Sequence, residues 1–97
     1  MLFRSNLRLA FSVAPNPARR ATFSLTLPEE GDVEIGIYDV VGRHVNTVLA
    51  GRLPAGNYSR EWAGTDDAGR QVGAGVYFAR LKAGGINRAI RTVYLGR

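Results

Sequence analysis

Residues 20–38, "RATFSLTLPEEGDVEIGIY", decide the fold. Ala21, Phe23, Leu25 and Leu27 alternate with Arg20, Thr22, Ser24 and Thr26. Val33, Ile35 and Ile37 alternate with Asp32, Glu34 and Gly36. Successive side chains of a strand point to opposite faces, so strict alternation predicts two half-buried strands; a helix would repeat its apolar residues every three or four positions. "PEEGD" (28–32) separates the two runs with a proline that lacks an N–H and a permissive glycine, which is turn chemistry.

The same period spreads outward in both directions. Upstream, Leu7, Leu9, Phe11 and Val13 alternate with Arg8, Ala10, Ser12 and Ala14. Downstream, "RHVNTVLAG" (43–51) reads as a less regular strand, and "GNYSREW" (56–62) places Tyr58 and Trp62 on one face with Arg60 between them. "GVYFARLKA" (75–83) sets Tyr77, Ala79 and Leu81 against Phe78, Arg80 and Lys82, while "NRAIRTVYL" (87–95) is a last strand whose pattern does not choose an inward face. "APNP", "DVVGR", "LPAG" and "AGGIN" punctuate the other junctions. About seven short strands at roughly ten-residue spacing predict an all-β protein, an immunoglobulin-like or fibronectin-III-like antiparallel β-sandwich. Residues 1–14 are expected to hold the first strand and a flexible N-terminal lead, frayed before Leu7, and residues 15–97 the body of the same single domain.

Bulk properties narrow the function. Ninety-seven residues are one domain's worth. A hydrophobic share of 45% is too high for a compositionally disordered chain. The absence of cysteine excludes disulfides and thiolate zinc sites. No apolar run approaches membrane-spanning length, so no membrane insertion is expected. Arg4 and Arg8 interrupt the apolar start, which does not read as a secretory signal. The net charge of +5 comes from arginines interleaved with acids, in no recognisable nucleic-acid-binding motif, so no nucleic-acid partner is expected.

The glycine-rich connection "WAGTDDAGRQVGAGVY" (62–77) invites three readings. A phosphate cradle needs Lys-Ser/Thr and a following helix, and here a strand follows. A calcium loop needs several alternating oxygen ligands, and Asp66 and Asp67 supply two adjacent carboxylates. A plain turn remains, with Asp66 accepting local backbone bonds and Gly69 at positive φ. Asp39 and Gly42 of "IYDVVGR" likewise bracket a tight turn, with Gly42 at positive φ. Trp62 and Tyr77 are expected in the core. His44, the only histidine, reads as a surface residue, and nothing marks a nucleophile elbow. Glu29 and Glu30 sit in a turn, Asn57-Tyr58-Ser59 matches a glycosylation sequon, and an internal Lys–Asn bond would have to use Lys82. No catalytic residue, cofactor or metal site is expected.

Residues 15–97 resemble the type A C-terminal sorting domains of type IX secretion cargo, and equally the immunoglobulin-like domain of flagellar hook-capping proteins. The resemblance rests on Pro15-Asn16-Pro17, "LPEEGDVEIGIYDVVGRHV", "LPAGNYSREWAGTDDAGRQV", "GAGVYFARL" and the basic-then-apolar "NRAIRTVYL". Its framework positions are Pro15, Asn16, Pro17, Tyr38, Asp39, Gly42, Trp62, Gly64, Asp66, Gly69, Gly75 and Tyr77. Ala63 departs from the Asp often found after the Trp, and "YLGR" is less lysine-rich than many sorting signals. The resemblance implies a non-catalytic module that binds a protein, either a secretion receptor or an assembly subunit; about seven strands and one core's worth of apolar residues imply a monomer or a weak dimer. It implies a place at the cell surface or outside the cell after export from the periplasm, as the C-terminal part of a larger protein. A sorting domain ends its chain, and the last strand runs close to Arg97; a hook-capping protein would carry further partner-binding segments. Arg88, Arg91 and Arg97 on that strand are the candidate partner-binding residues. A generic adhesive sandwich is the remaining alternative.

Overall fold

The computed structural model describes residues 8–97, and the frayed lead expected before Leu7 lies outside them. Seven strands follow in order: β1 (Ala10–Ala14), β2 (Ala21–Leu27), β3 (Gly31–Tyr38), β4 (His44–Leu53), β5 (Gly56–Trp62), β6 (Gly75–Ala83) and β7 (Ile86–Tyr94). They form a three-stranded sheet, β1-β2-β5, and a four-stranded sheet, β4-β3-β6-β7, with every neighbouring pair antiparallel. The fold is therefore an all-β, immunoglobulin-like sandwich. In the constant-type immunoglobulin arrangement the fourth strand joins the first sheet; here β4 lies beside β3 in the second.

The alternation of β2, β3 and β6 translates directly into burial. Phe23, Leu25, Leu27, Val33, Ile35, Ile37, Ala79 and Leu81 are all buried. The core divides into two clusters. One gathers the aliphatic side chains Leu25, Leu27, Ile35, Leu49 and Leu81. The other gathers Phe23 and Ile37 with the aromatic rings of Trp62, Tyr77 and Tyr94. Each fully buried large aliphatic side chain contributes about 1.5–3 kcal/mol relative to exposure.

Two departures from simple period two have physical causes. The register of β4 on β3 shifts between Ile35 and Gly36 and again between Ile37 and Tyr38, so Val48 and Val45 are extra residues on the β4 side. That explains the irregular pattern of "RHVNTVLAG". On β7, pairing with β6 turns Ile90, Thr92 and Tyr94 inward, opposite Ala79, Tyr77 and Gly75. The inward set contains a threonine that is 1% exposed, which is why hydrophobicity alone does not choose this face.

Candidate functional site

Two turns of identical build lie at one end of the sandwich. In Asp39–Arg43, the Gly42 N–H donates to the Asp39 carbonyl at 3.0 Å, and Gly42 has φ 89°. The Asp39 Oδ1 accepts from the N–H groups of Val41 (3.0 Å) and Arg43 (2.9 Å), and Arg43 Nε donates to Oδ2 at 2.9 Å. In Asp66–Arg70, the Gly69 N–H donates to the Asp66 carbonyl at 2.9 Å, with φ 84° at Gly69. The Asp66 Oδ1 accepts from Ala68 N and Arg70 N, each at 2.9 Å, and Arg70 Nε lies 3.3 Å from Oδ2. "DVVGR" and "DDAGR" are one local program used twice. A carboxylate collects two backbone N–H groups, and glycine supplies the left-handed residue that closes the turn.

These bonds favour the ionised carboxylates. The backbone N–H of Arg43 leads in holding Asp39 below the usual carboxyl value of 3.8, and that of Arg70 does the same for Asp66. A depressed folded-state value favours the folded state above the unfolded value and loses that contribution as pH falls through the folded one. Urea midpoints are therefore expected to drop on acidification below about pH 4, and less steeply in an Asp39→Asn, Asp66→Asn double variant. An equal slope in variant and parent would refute this.

The second turn is bolted to the four-stranded sheet. The Asp67 N–H donates to the Val45 carbonyl at 3.0 Å, and Asp67 Oδ1 accepts from Thr47 N at 2.9 Å, so this residue takes part of the outer edge of β4. Asn46 Nδ2 and Trp62 Nε1 both donate to the Thr65 carbonyl, at 2.9 and 2.8 Å. Gln71 reaches the Gly64 carbonyl and the Tyr94 hydroxyl. The Tyr77 hydroxyl donates to the Gly73 carbonyl at 2.6 Å. Burial pushes the Tyr77 phenol up, with Asp39 and Tyr94 adding to the effect. Trp62 packs against Tyr77 and Tyr94, with ring centroids 5.2 and 5.4 Å away. The 63–74 connection is thus a strut tied at both ends.

The last strand is only half open. Asn16 mimics a strand residue: its Nδ2 donates to the Arg91 carbonyl at 2.8 Å and its Oδ1 accepts from Val93 N at 2.9 Å. Ala18 continues the pairing, donating to the Val93 carbonyl at 3.0 Å and accepting from Leu95 N at 2.9 Å. Pro15 and Pro17 flank Asn16 on the exposed surface. Residues 91, 93 and 95 therefore aim backbone groups away from β6 into this clip. By the two-residue period, Asn87 and Ala89 aim theirs at an edge that no strand covers among the described residues.

The candidate partner-binding arginines do not form one cluster. Arg88 has the core-side parity, paired with Leu81, yet is exposed; Arg91 is on the outer face, paired with Phe78; Arg97 follows the strand beyond Gly96. Lys82 is exposed on the outer face, paired with Asn87 and away from the core that a buried Lys–Asn bond requires. Asn57 accepts from Thr26 Oγ1 at 2.9 Å.

His44 brings a hydroxyl and a carboxylate into reach. Its Nε2 is 2.8 Å from Thr47 Oγ1, and its Nδ1 is 3.6 Å from Asp67 Oδ2. The second distance is too long for a hydrogen bond, and the other Asp67 oxygen already serves Thr47 N. The set clasps the loop to β4 and lacks the coupled geometry of a nucleophilic relay. Asp66 has both oxygens engaged within its own turn, and no group of three or more metal-ligating side chains occurs among the described residues. An open depression of about 630 Å³ lies near Asp32, Lys82 and Gly85, at the opposite end of the sandwich.

The fold and this end of it define an immunoglobulin-like module with aromatic packing, two aspartate-closed turns and a strapped last strand. Residues 13–85 match the FlgD Ig-like domain family, and the chain belongs to that family. A solved structure of FlgD from P. aeruginosa is similar over 77% of this chain and 59% of that one, at 29% identity and a TM-score of 0.53. Dimeric latent PorU from Porphyromonas gingivalis shares the fold over 90% of this chain and 9% of that one, at 24% identity and a TM-score of 0.70. The chain thus spans a small part of PorU and a little over half of FlgD. No curated protein matches it.

The Asn16 clip and the Gln71 bridge escape sequence reading, whereas each Asp-x-x-Gly-Arg turn is read from the sequence, though not the arginine that completes both. The shared arginine had a local signal, since "DVVGR" and "DDAGR" share three positions at the same spacing.

Proposed function

We propose that this immunoglobulin-like module is a non-catalytic sorting or anchoring domain, read by an outer-membrane secretion machine of the type IX kind. The observation that carries the reading is the half-open edge of β7. Among the described residues Asn87 and Ala89 offer unpaired backbone groups beside Arg88, in the segment whose sequence resembles the end of a sorting domain. An exposed edge accepts a partner strand through main-chain bonds, and a neighbouring charge selects the partner and deters random pairing. On this reading the domain travels to the cell surface as the C-terminal part of a larger protein. Family membership and the FlgD likeness favour a second reading, a structural module that binds a neighbouring subunit in an assembly.

A reporter exported to the periplasm, fused ahead of residues 8–97 in a bacterium with type IX secretion, separates the two. Sorting predicts surface delivery by the parent fusion. It also predicts loss of delivery by Arg88→Glu and by Ala89→Pro, which deletes an outward N–H without breaking the ladder to β6. Circular dichroism of the purified domains must show the fold retained. A folded parent that stays in the periplasm refutes sorting and leaves the assembly module.

A further inference from the structure

The outer face of the four-stranded sheet carries a surface that neither the fold nor the β7 edge explains. Tyr38, Phe78 and Arg91 lie side by side on β3, β6 and β7 by register. Arg80 flanks this row on one side, and Val76 beside Val93 on the other. Among the described residues no layer packs over this face. Tyr38, Phe78, Val76 and Val93 are nevertheless only half-buried, so they form an apolar floor in contact with water.

The floor is arranged around a glycine. A Cβ at Gly36 would lie 3.0 Å from Tyr38 Cε1, so the bare glycine lets the Tyr38 ring lie close across the sheet there. The Arg80 guanidinium sits 4.6 Å from the centroid of that ring, and His44 meets the ring edge-on at 5.3 Å. Stacking fixes the guanidinium plane without consuming its N–H fork, which matches a carboxylate in two-point geometry.

Neither Arg80 nor Arg91 is in an ion pair among the described residues. Asp39, Asp66, Glu61 and the Glu30–Asp32 pair are each engaged by a different arginine. Asp67 faces His44. Glu34 shares the outer face but is paired by register with Lys82, two residues beyond Arg80.

We propose that this face is a docking surface for an acidic, extended polypeptide segment with apolar side chains. Carboxylates of that segment engage Arg80 and Arg91, and a neighbouring apolar side chain rests on Phe78 and Val76. Charge complementarity selects this occupant: the face presents two uncompensated guanidinium groups over an apolar floor. The proposal uses a face of the sheet rather than its edge, and stands independently of the sorting reading.

The test uses residues 1–97 and a fluorescein-labelled ten-residue peptide, Glu-Ser-Tyr-Ser-Glu-Ser-Tyr-Ser-Glu-Ser, which when extended sets Glu and Tyr alternately on one face. Controls are the Gln/Tyr counterpart and a ten-nucleotide oligothymidine. Anisotropy gives affinity, and amide chemical shifts give location. Saturable binding by the acidic peptide alone is expected, weakened by salt, with shifts centred on Tyr38, Phe78, Arg80 and Arg91. Arg80→Gln and Arg91→Gln should each weaken it about tenfold, the scale of a lost charge-assisted hydrogen bond, with unchanged melting. Arg60→Gln, on the other sheet, should have no effect. Equal binding of the Gln/Tyr peptide, tighter binding of the oligothymidine, shifts centred elsewhere, or no saturation at millimolar peptide would each overturn the proposal. Since no export is involved, its failure leaves the sorting reading untouched, and the reverse holds.

Discussion

Replacing Trp62 by alanine is expected to remove about 3–5 kcal/mol of stability, comparable with the whole stability of a small domain. Trp62 is 2% exposed and packs against both Tyr77 and Tyr94. It also ties the strut to the core, through its N–H bond to the Thr65 carbonyl. Truncation opens a cavity between the sheets and frees one end of residues 63–74 together. Far-UV circular dichroism in urea measures the loss. Trp62→Phe keeps most of the ring volume and deletes the N–H, so it should cost clearly less. A Trp62→Ala protein that melts within a few degrees of the parent would contradict the packing described.

Gly64→Ala is expected to be nearly as damaging, for a different reason. An added Cβ would lie 2.0 Å from Tyr94 Cζ, and the backbone there has φ +84°. Gly69 provides an internal control, with the same φ of +84° and nothing within 4 Å of its added Cβ. Gly69→Ala should therefore cost only the backbone penalty, about 1–2 kcal/mol. Gly64→Ala should exceed it by several kcal/mol, because the ring it strikes is held in the core. Coupling checks the cause: in a Tyr94→Leu background the excess should shrink, as it does for residues in contact. Equal costs at the two glycines would show that the Tyr94 ring moves aside freely.

The strands were legible wherever one face met the core and the other met water. Phe23, Leu25, Ile35 and Leu81 announce themselves by period two because each points inward from a regular ladder. The reading weakened at β4, where two extra residues reset the alternation, and at β7, where Thr92 occupies a core position. The two aspartate turns were readable because they are local, spanning five residues each. The clip on β7 was not, because Asn16 bonds residues 75 and 77 positions away. The docking face was hidden for a related reason: Tyr38, Arg80 and Arg91 are adjacent only once three strands are in register.

The Asn16–Ala18 clip also sets how the molecule bears load. Ala18 and Tyr94 run parallel, so the chain enters the contact at one end and leaves it at the other. Tension applied between the N-terminal side and the C-terminus then acts along the contact and not across it. The two side-chain bonds of Asn16 and the two backbone bonds of Ala18 are stretched together instead of opening one after another like a zipper. A load applied along the chain through this domain would strain four hydrogen bonds at once before β7 could be peeled from β6. The same four bonds would yield singly to a force that lifted the last strand sideways. The module is built to resist pulling along its strands and to release under peeling.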